Sequence, residues 1–437
     1  MIKRTEITSF DKTEHTVCDS IRPEKYDDIL KIRNRPVIAR GAGLSYCNAS
    51  ASAEGIVVDM CRMDKILAFD PDKALVTVEA GIKIGELNNF LISNNFIFAV
   101  LPGYPSITVG GCIAFNVHGK SQFKVGTFGD WVKAMRIHHP AHGEISCSAS
   151  ENKDLFDLTI GGMGFTGIIL TATLSVQKLA GEKLESERVI VKNIYEAVQV
   201  MKDSEQNYDY VYSWNNFNKR NTSFGEGVVY LEKFVPGKIN IRPYKDKMEL
   251  SYKLPSFHNN FTIKNMCSIF YFLEKLKGKK TQQDLMAGSF PIYNKEIYYY
   301  LFGKKGFREY QMLIPINKYE AAFGEIKNLI AEMNIAVSLG SLKLFNGTKH
   351  NLSFTGEGVC VTIDIQVSVK AEPFFKALDL ICEKYQCIVN LSKDSRANHE
   401  LARKLYSEFD NFKEKINAFD PKNYIVSDLK KRLELQS

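Results

Sequence analysis

Two stretches, Arg40-Gly-Ala-Gly-Leu-Ser-Tyr46 and Leu101-Pro-Gly-Tyr-Pro-Ser-Ile-Thr-Val-Gly-Gly-Cys-Ile-Ala-Phe-Asn-Val-His-Gly-Lys120, decide how the chain is read. Glycine leaves backbone N–H groups uncovered, and consecutive N–H groups on a turn or at a helix start form a nest for a diphosphate. Two such runs suit a dinucleotide. A third, Gly161-Gly-Met-Gly-Phe-Thr-Gly167, follows them. A nicotinamide-binding Rossmann site is disfavoured. No G-x-G-x-x-G stands between an early strand and helix with an acidic residue about 20 positions on. The near match Gly162-Met-Gly-Phe-Thr-Gly167 comes late.

At 437 residues the chain exceeds one small core, and two domains are expected. Its 45% hydrophobic and 24% charged content is that of a soluble globular protein. The formal charge of +7, from 57 basic and 50 acidic side chains, is mild. No concentrated basic stripe carries stacking aromatics, so nucleic acid is not an expected partner. The nine cysteines are odd in number and form no C-x-x-C, as in reduced cytosolic thiols. Met1-Ile-Lys-Arg-Thr-Glu lacks the apolar core of a signal peptide, and no run of about 18 apolar residues is present. The expected location is cytoplasmic, with membrane association limited to the inner face.

Along the chain, the spacing of Ile21, Tyr26, Ile29, Leu30 and Ile32 predicts a short helix after Pro23. Pro36-Val-Ile-Ala39 reads as a buried strand that delivers Arg40 and the first nest. Gly55 to Asp59 and Ala74 to Ala80 read as strands, and Lys83 to Ser93 as a helix. Lys133 to His138 and Gly143 to Ser146 read as strands around a turn. Ser148 and Glu151 make a capping-box pattern for a helix through Leu158. After the third glycine run, Ile168 to Leu174 reads as a strand. The first domain is expected to cover residues 1–177. A second, 178–387, has strands at Val228 to Leu231 and Gln311 to Pro315, alternating with helices at Ile194 to Lys202 and Tyr319 to Met333. That alternation suits an antiparallel sheet flanked by helices.

Taken together, RGxGxSY, LPGxxxxTVGGxIAxxxHGK, GGxGxTGII and the late Lys393-Asp-Ser-Arg396 resemble the flavin proteins of the vanillyl-alcohol-oxidase type, also called the p-cresol methylhydroxylase fold. Within that family the decaprenylphosphoryl-ribose 2-oxidases share all four motifs in this order. The resemblance implies an α+β, two-domain flavoprotein. A PCMH-type FAD-binding domain is joined to a substrate domain, and residues 388–437 return to complete the first. It places FAD against Arg40, Gly41, Ala42, Gly43, Leu44, Ser45 and Tyr46, then Pro102, Gly103, Thr108, Val109, Gly110, Gly111, Ala114, Phe115 and Gly119, and finally Gly162, Gly164, Gly167 and Ile168. Covalent members often carry histidine where this sequence has Leu44, so the expected FAD is noncovalent. Phe115 and Asn116 depart from the smaller residue and the aspartate of the relatives, which implies a tighter ring pocket.

FAD accepts the hydride, so the protein has mainly to place a substrate C–H over the ring and manage the hydroxyl proton. The resemblance gives His118, Lys120 and Lys393 the catalytic roles, with Lys393 a cation beside the ring. It assigns Tyr310, Gln311 and Lys343 to the substrate pocket, with Thr362 where the relatives often have cysteine. No catalytic cysteine is assigned, and Cys360 reads as core or pocket wall. His138, His139 and His142 cluster without the carboxylate or cysteine spacing of a metal site and read as surface loop, so no metal is expected. No serine sits in a G-x-S-x-G elbow. The apolar run Met266 to Leu273 passes into lysines at 275, 277, 279 and 280, and Tyr293 to Phe302 ends at Lys304-Lys305. Such a patch suits either anionic lipid and a polyprenyl tail or a solvated loop beside a core helix.

The resulting expectation is an FAD-dependent oxidoreductase acting on a sugar or lipid-linked sugar. The resemblance implies oxidation of the 2-hydroxyl of a polyprenyl-phosphoryl pentose in cell-envelope polysaccharide synthesis, with a short-chain reductase as partner. A sugar-lactone or small polyol oxidase and a non-catalytic flavin-holding protein are the alternatives.

Overall fold

Short β-branched runs in the first part pair into two sheets, and a computed structural model describes them within residues 2–239, 244–245 and 256–436. Strands β1 (Lys3–Thr8), β2 (His15–Ile21), β3 (Val37–Arg40) and β4 (Ile56–Asp59) form one sheet in the order β1-β2-β4-β3. β1 and β2 are antiparallel, whereas β2, β4 and β3 run parallel. Val37, Ile38, Val57 and Val58 are buried, as parallel strands covered on both faces require. Arg40 closes β3, so the first glycine run leaves the sheet at a strand's carboxyl end. That is where open α/β sheets hold their ligands.

The second sheet is antiparallel. It contains β5 (Ile66–Asp70), β6 (Leu75–Glu79), β8 (Val132–His139), β9 (Gly143–Ser148) and β10 (Ile168–Ser175) in the order β5-β6-β10-β8-β9. The short β7 (Phe96–Ile97) pairs instead with β11 (Gln177–Lys178). The Ile84–Ser93 helix buries Ile84, Leu87 and Leu91 against this sheet's core.

Two local expectations are corrected. The helix between Ile21 and Ile32 is confined to Tyr26–Leu30, because Ile21 is drawn into the sheet opposite Val58. Ser148 does not cap a helix: its hydroxyl accepts the N–H groups of Ser150 and Glu151 in a turn. The Lys153–Thr159 helix starts only after Asn152, whose φ of 48° lies in the left-handed region.

The second part is built on an eight-stranded antiparallel sheet, ordered β15-β12-β14-β13-β17-β18-β16-β19. Its strands are β12 (Lys183–Val191), β13 (Tyr210–Asn216), β14 (Glu226–Val235), β15 (Lys280–Gln283), β16 (Phe307–Pro315), β17 (Val337–Phe345), β18 (Gly358–Gln366) and β19 (Ile388–Val389). Side chains alternate across it. Val211, Val229, Leu231, Met312, Val361 and Ile363 face the Ile194–Ser204, Tyr319–Glu332 and Ala371–Tyr385 helices in one core. The alternate residues face the first part and the Asn260–Leu276 helix, and they are largely polar.

The last segment links the parts. β19 extends the large sheet beside β16, and the chain then reaches β3, where Val37 N–H donates to the Tyr424 carbonyl and Val426 N–H to Val37. The main core accordingly runs without a break from Ile7 through Tyr310 to Leu435.

Candidate active site

A cavity of about 800 Å³ lies between the glycine runs and the polar face of the large sheet. That volume is near the upper end of small-molecule sites. Arg40, Gly41, Ala42, Gly43, Leu44, Ser45 and Tyr46 all border it. So do Pro102, Gly103, Thr108, Gly110, Gly111, Ala114, Phe115, His118, Gly119 and Lys120 of the second run, and Gly164 and Gly167 of the third. Lys393, Gln311, Lys343 and Thr362 complete the opposite wall.

Four positions stand elsewhere. Val109 and Ile168 are core residues, and the Val109 N–H donates to the Ile82 carbonyl. Gly162 serves a tight turn, where a Cβ would come within 2.1 Å of the Leu158 carbonyl oxygen. Tyr310 is on the wrong side of β16. Its hydroxyl donates to Asp379 at 2.7 Å, and its ring packs on Phe375, because strand alternation that turns Gln311 to the cavity turns Tyr310 away.

The first-part wall fits a dinucleotide diphosphate. Among the described residues no acceptor takes the N–H groups of Gly41, Ala42 or Gly43. Gly43 holds φ at 70°, and a Cβ on Gly41 would meet Thr108 Oγ1 at 2.1 Å, so the two runs approach as only glycine permits. Arg40 is bonded to Ser50 Oγ at 3.1 Å and has no carboxylate partner among the described residues, which leaves a cation beside the nest. Open space surrounds Gly103. Asn116, held at a φ of 45°, accepts the Gly129 N–H at 2.8 Å and fixes the turn behind Phe115.

His118 is neutral with one defined tautomer. The Ser392 N–H donates to Asn390 Oδ1 at 3.1 Å, which makes Asn390 Nδ2 the donor to Gln311 Oε1 at 2.6 Å. Gln311 Nε2 in turn donates to Thr362 Oγ1 at 2.9 Å. His118 Nε2, 3.3 Å from Gln311 Oε1, must therefore carry the hydrogen. Its buried Nδ1 makes no hydrogen bond of good geometry among the described residues. Burial, reinforced by the charge of Lys343, pushes the imidazole well below its ordinary range.

The lysines differ in what they face. Lys393 lies 3.6 Å from the centroid of Tyr46 and 3.4 Å from Glu309 Oε1. Behind it, Arg396 binds Asp394 at 2.9 Å and Asp379 at 3.1 Å, which anchors the loop. Lys343 is held down from the usual lysine range by burial. Lys120 is not a free cation at the cavity: its ammonium is buried against Glu232 at 2.7 Å. In that position it clasps the two parts together.

The histidine cluster is also corrected. His138 and His139 are fully buried rather than on a surface loop. His138 Nε2 bonds the Ile32 carbonyl at 2.9 Å, and His139 stacks on His142 near Asp420. No group of metal-ligating side chains occurs among the described residues. Cys360 is core, its thiol pushed up to about 12 by burial.

Several cavity residues were not singled out from the sequence: Glu309, Asp364, Asn390, Tyr298, Trp214 and His258. A period-two count from Gln311 and Thr362 finds Glu309 and Asp364. Asn390, Tyr298 and His258 come from loops and a short helix with no local signal, and Trp214 lies on β13, a strand not anticipated from the sequence.

Residues 26–148 match the family described as FAD binding domain. Over 418 residues the chain is 28% identical to the decaprenylphosphoryl-beta-D-ribose oxidase of Mycolicibacterium smegmatis, covering 92% of this chain and 90% of that protein. The chain thus carries an FAD binding domain and is similar along most of its length to an FAD-linked oxidase. This flavoprotein is an FAD-dependent oxidoreductase. Its likeness to L-gulonolactone oxidase of Mus musculus, 32% over 146 residues, covers 33% of each chain. D-lactate dehydrogenase of Anaerostipes hadrus is 28% identical over 162 residues, 35% of this chain and 34% of that one. Only the first of these likenesses spans the second part as well. Among the described residues no helix is long and apolar enough to cross a membrane.

Proposed function

We propose that the flavoprotein oxidises a secondary hydroxyl of a lipid-linked sugar, the 2-hydroxyl of a polyprenyl-phosphoryl pentose, to a keto sugar. The observation that carries this reading is the course of the cavity. From the glycine runs it crosses the polar sheet face, past Gln311, Lys343 and Glu232, and reaches Met266 and Phe270 of the Asn260–Leu276 helix and Lys277 just after it. A polar middle with an apolar, lysine-edged outer end suits a sugar phosphate with a hydrocarbon tail. The likeness along the whole chain to a decaprenylphosphoryl-beta-D-ribose oxidase supports the same substrate class.

Bound FAD supplies the hydride acceptor. Arg40 and the N–H groups of Gly41 to Gly43 hold its diphosphate, noncovalently, since Leu44 offers no nucleophile to the ring. His118 presents its bare Nδ1 as acceptor to a sugar hydroxyl and orients it. Lys393 and Lys343 place positive charge where oxygen becomes electron-rich. The keto product then passes to a short-chain reductase, which returns an epimeric alcohol.

Contact with the inner face of the membrane belongs to this reading. The helix over the cavity's outer end exposes Phe261, Ile269, Phe272, Leu273 and Leu276, with Phe261 at 78% and Leu276 at 68% exposure. Isolated apolar side chains are ordinary on a surface, but a whole helix face of them marks an interaction site.

The test is an anaerobic absorbance spectrum before and after adding a prenyl-phosphoryl ribose, followed by acid precipitation. Bleaching of the flavin band, with yellow colour left in the supernatant, is expected. An unchanged band sinks the substrate class, and yellow colour in the pellet sinks noncovalent attachment.

A further inference from the structure

Two buried carboxyl groups at the cavity wall have no part in the reading above. Glu309 on β16 and Asp364 on β18 are direct cross-strand partners on the face that carries Gln311 and Thr362. Such partners hold their Cβ atoms about 4.5–5.5 Å apart. Glu309 is 5% exposed and Asp364 1%. One oxygen of each, Glu309 Oε1 and Asp364 Oδ1, is buried without a hydrogen-bond donor among the described residues. Asp364 Oδ2 accepts from the Tyr298 hydroxyl at 2.8 Å, and the Lys393 ammonium stands 3.4 Å from Glu309 Oε1.

Two facing carboxylates in a buried wall repel one another and leave both oxygens unmet. One proton held between them removes the repulsion and gives each oxygen a partner. Burial raises Asp364 well above the usual carboxylate range and the charge of Glu309 adds to this, while Tyr298 and Lys393 oppose it. The remaining negative charge is matched by Lys393. Among the described residues the other titratable groups around this part of the cavity are Lys343, His118, Tyr46, Tyr299 and His258, with the Cys360 thiol behind the wall. His118, buried between the fields of Lys343 and Lys393, is a poor terminal home for a proton.

We propose that Glu309 and Asp364 form a one-proton carboxyl dyad that takes up the hydroxyl proton when the substrate's carbinol is oxidised. The proposal rests on the alcohol-oxidation reading above. The carbinol C–H bond breaks with both electrons leaving as a hydride to the bound flavin, which is the oxidant. The O–H bond breaks, its electron pair becomes the second bond of the carbonyl, and its proton goes to the carboxylate of the dyad. The dyad ends doubly protonated and uncharged, the form that burial favours.

The experiment has two readouts on the FAD-loaded protein. Infrared spectra in H2O and D2O should show the carbonyl band of one protonated carboxylic acid at neutral pH, removed by Asp364→Asn and titrated away in the unsubstituted protein at high pH. Anaerobic mixing with a prenyl-phosphoryl ribose and a pH-indicator dye counts protons released per flavin reduced. The unsubstituted protein should release about one fewer than Glu309→Gln, whose flavin reduction should slow by about 10². Absence of the band, or equal proton counts, overturns the dyad. A flavin that this probe does not reduce marks failure of the substrate reading instead. The band then decides on the dyad, and the proton count is taken with whichever soluble sugar reduces the flavin.

Discussion

Lys120, at the end of the second glycine run, sets its ammonium 2.7 Å from Glu232 on β14, with both side chains shut off from solvent. The same ammonium donates to the Gly288 carbonyl and lies 4.5 Å from the centroid of Tyr210. Glu232 in turn accepts from the Tyr212 hydroxyl and from Gln283 Nε2, each at 3.1 Å. Residues from both parts of the chain thus meet at one buried charge pair. Removing one partner of such a pair strands the other, at about 3–5 kcal/mol. Lys120→Ala should lose stability on that scale in denaturant unfolding, and Lys120→Met with Glu232→Leu should recover most of it. A single substitution that lost under about 1 kcal/mol would show that the pair does not hold the parts together.

The His118 tautomer is set at a distance. Asn390, oriented by a backbone N–H, orients Gln311, and Gln311 leaves His118 Nε2 as the donor. Asn390→Ala leaves the imidazole untouched but removes the hydrogen bond to its partner, and it should release Gln311 to rotate. Nitrogen NMR of the imidazole should then change from one hydrogen-bearing Nε2 to a mixture of tautomers, with Gln311→Glu giving a second change. An unaltered spectrum in Asn390→Ala would disconnect the relay.

How much of this was legible in the sequence follows from the range of the forces involved. The glycine runs and β-branched strands are local signals, and Gly43 at φ 70° or Val37 and Val57 in a buried sheet need no distant partner to be anticipated. Tyr310 shows a rule left unapplied: residues adjacent in a strand point to opposite faces, so Tyr310 and Gln311 cannot share a pocket. Lys120 shows a true limit, since its partner lies 112 positions away on β14 of the large sheet. The His138–His139 pair sits at the end of the expected strand, and both are buried because β8 runs on through His139. Ser148 has the spacing of a cap, but its hydroxyl is taken by the N–H groups just ahead of it.

Acid should weaken the fold through His258. It is buried with both ring nitrogens lacking partners among the described residues, stacks on Phe302 at 4.4 Å, and is pushed down to about 4 by burial. In the unfolded chain the same imidazole titrates near its ordinary value of about 6.5. Between those values the unfolded state binds the extra proton, so stability is complete above about 6.5 and falls as pH drops toward about 4. The loss should be on the order of 1–3 kcal/mol. His258→Phe keeps the stacking and removes the titration, so the difference in unfolding midpoint between pH 7 and pH 4.5 should shrink. An identical pH dependence in the variant would clear His258 of the effect.

Membrane contact, if it depends on the Asn260–Leu276 helix, should depend on apolar residues more than on the lysines beside them. Lys277 pairs with Glu274, Lys279 with Glu187 at 3.0 Å and Lys280 with Glu185 at 3.2 Å, so these charges are already matched within the protein. Neutralising them removes attraction to anionic lipid of at most about 1 kcal/mol per residue. Burying a large apolar side chain is worth about 1.5–3 kcal/mol. In cosedimentation with vesicles containing anionic lipid, Phe261→Ser with Leu276→Ser should therefore reduce binding by about 10² or more. The triple change of Lys277, Lys279 and Lys280 to Gln should reduce it by a smaller factor, and added salt should act weakly on the remainder. A protein that never cosediments, or one that loses binding through the lysines alone, would remove the helix face from the reading.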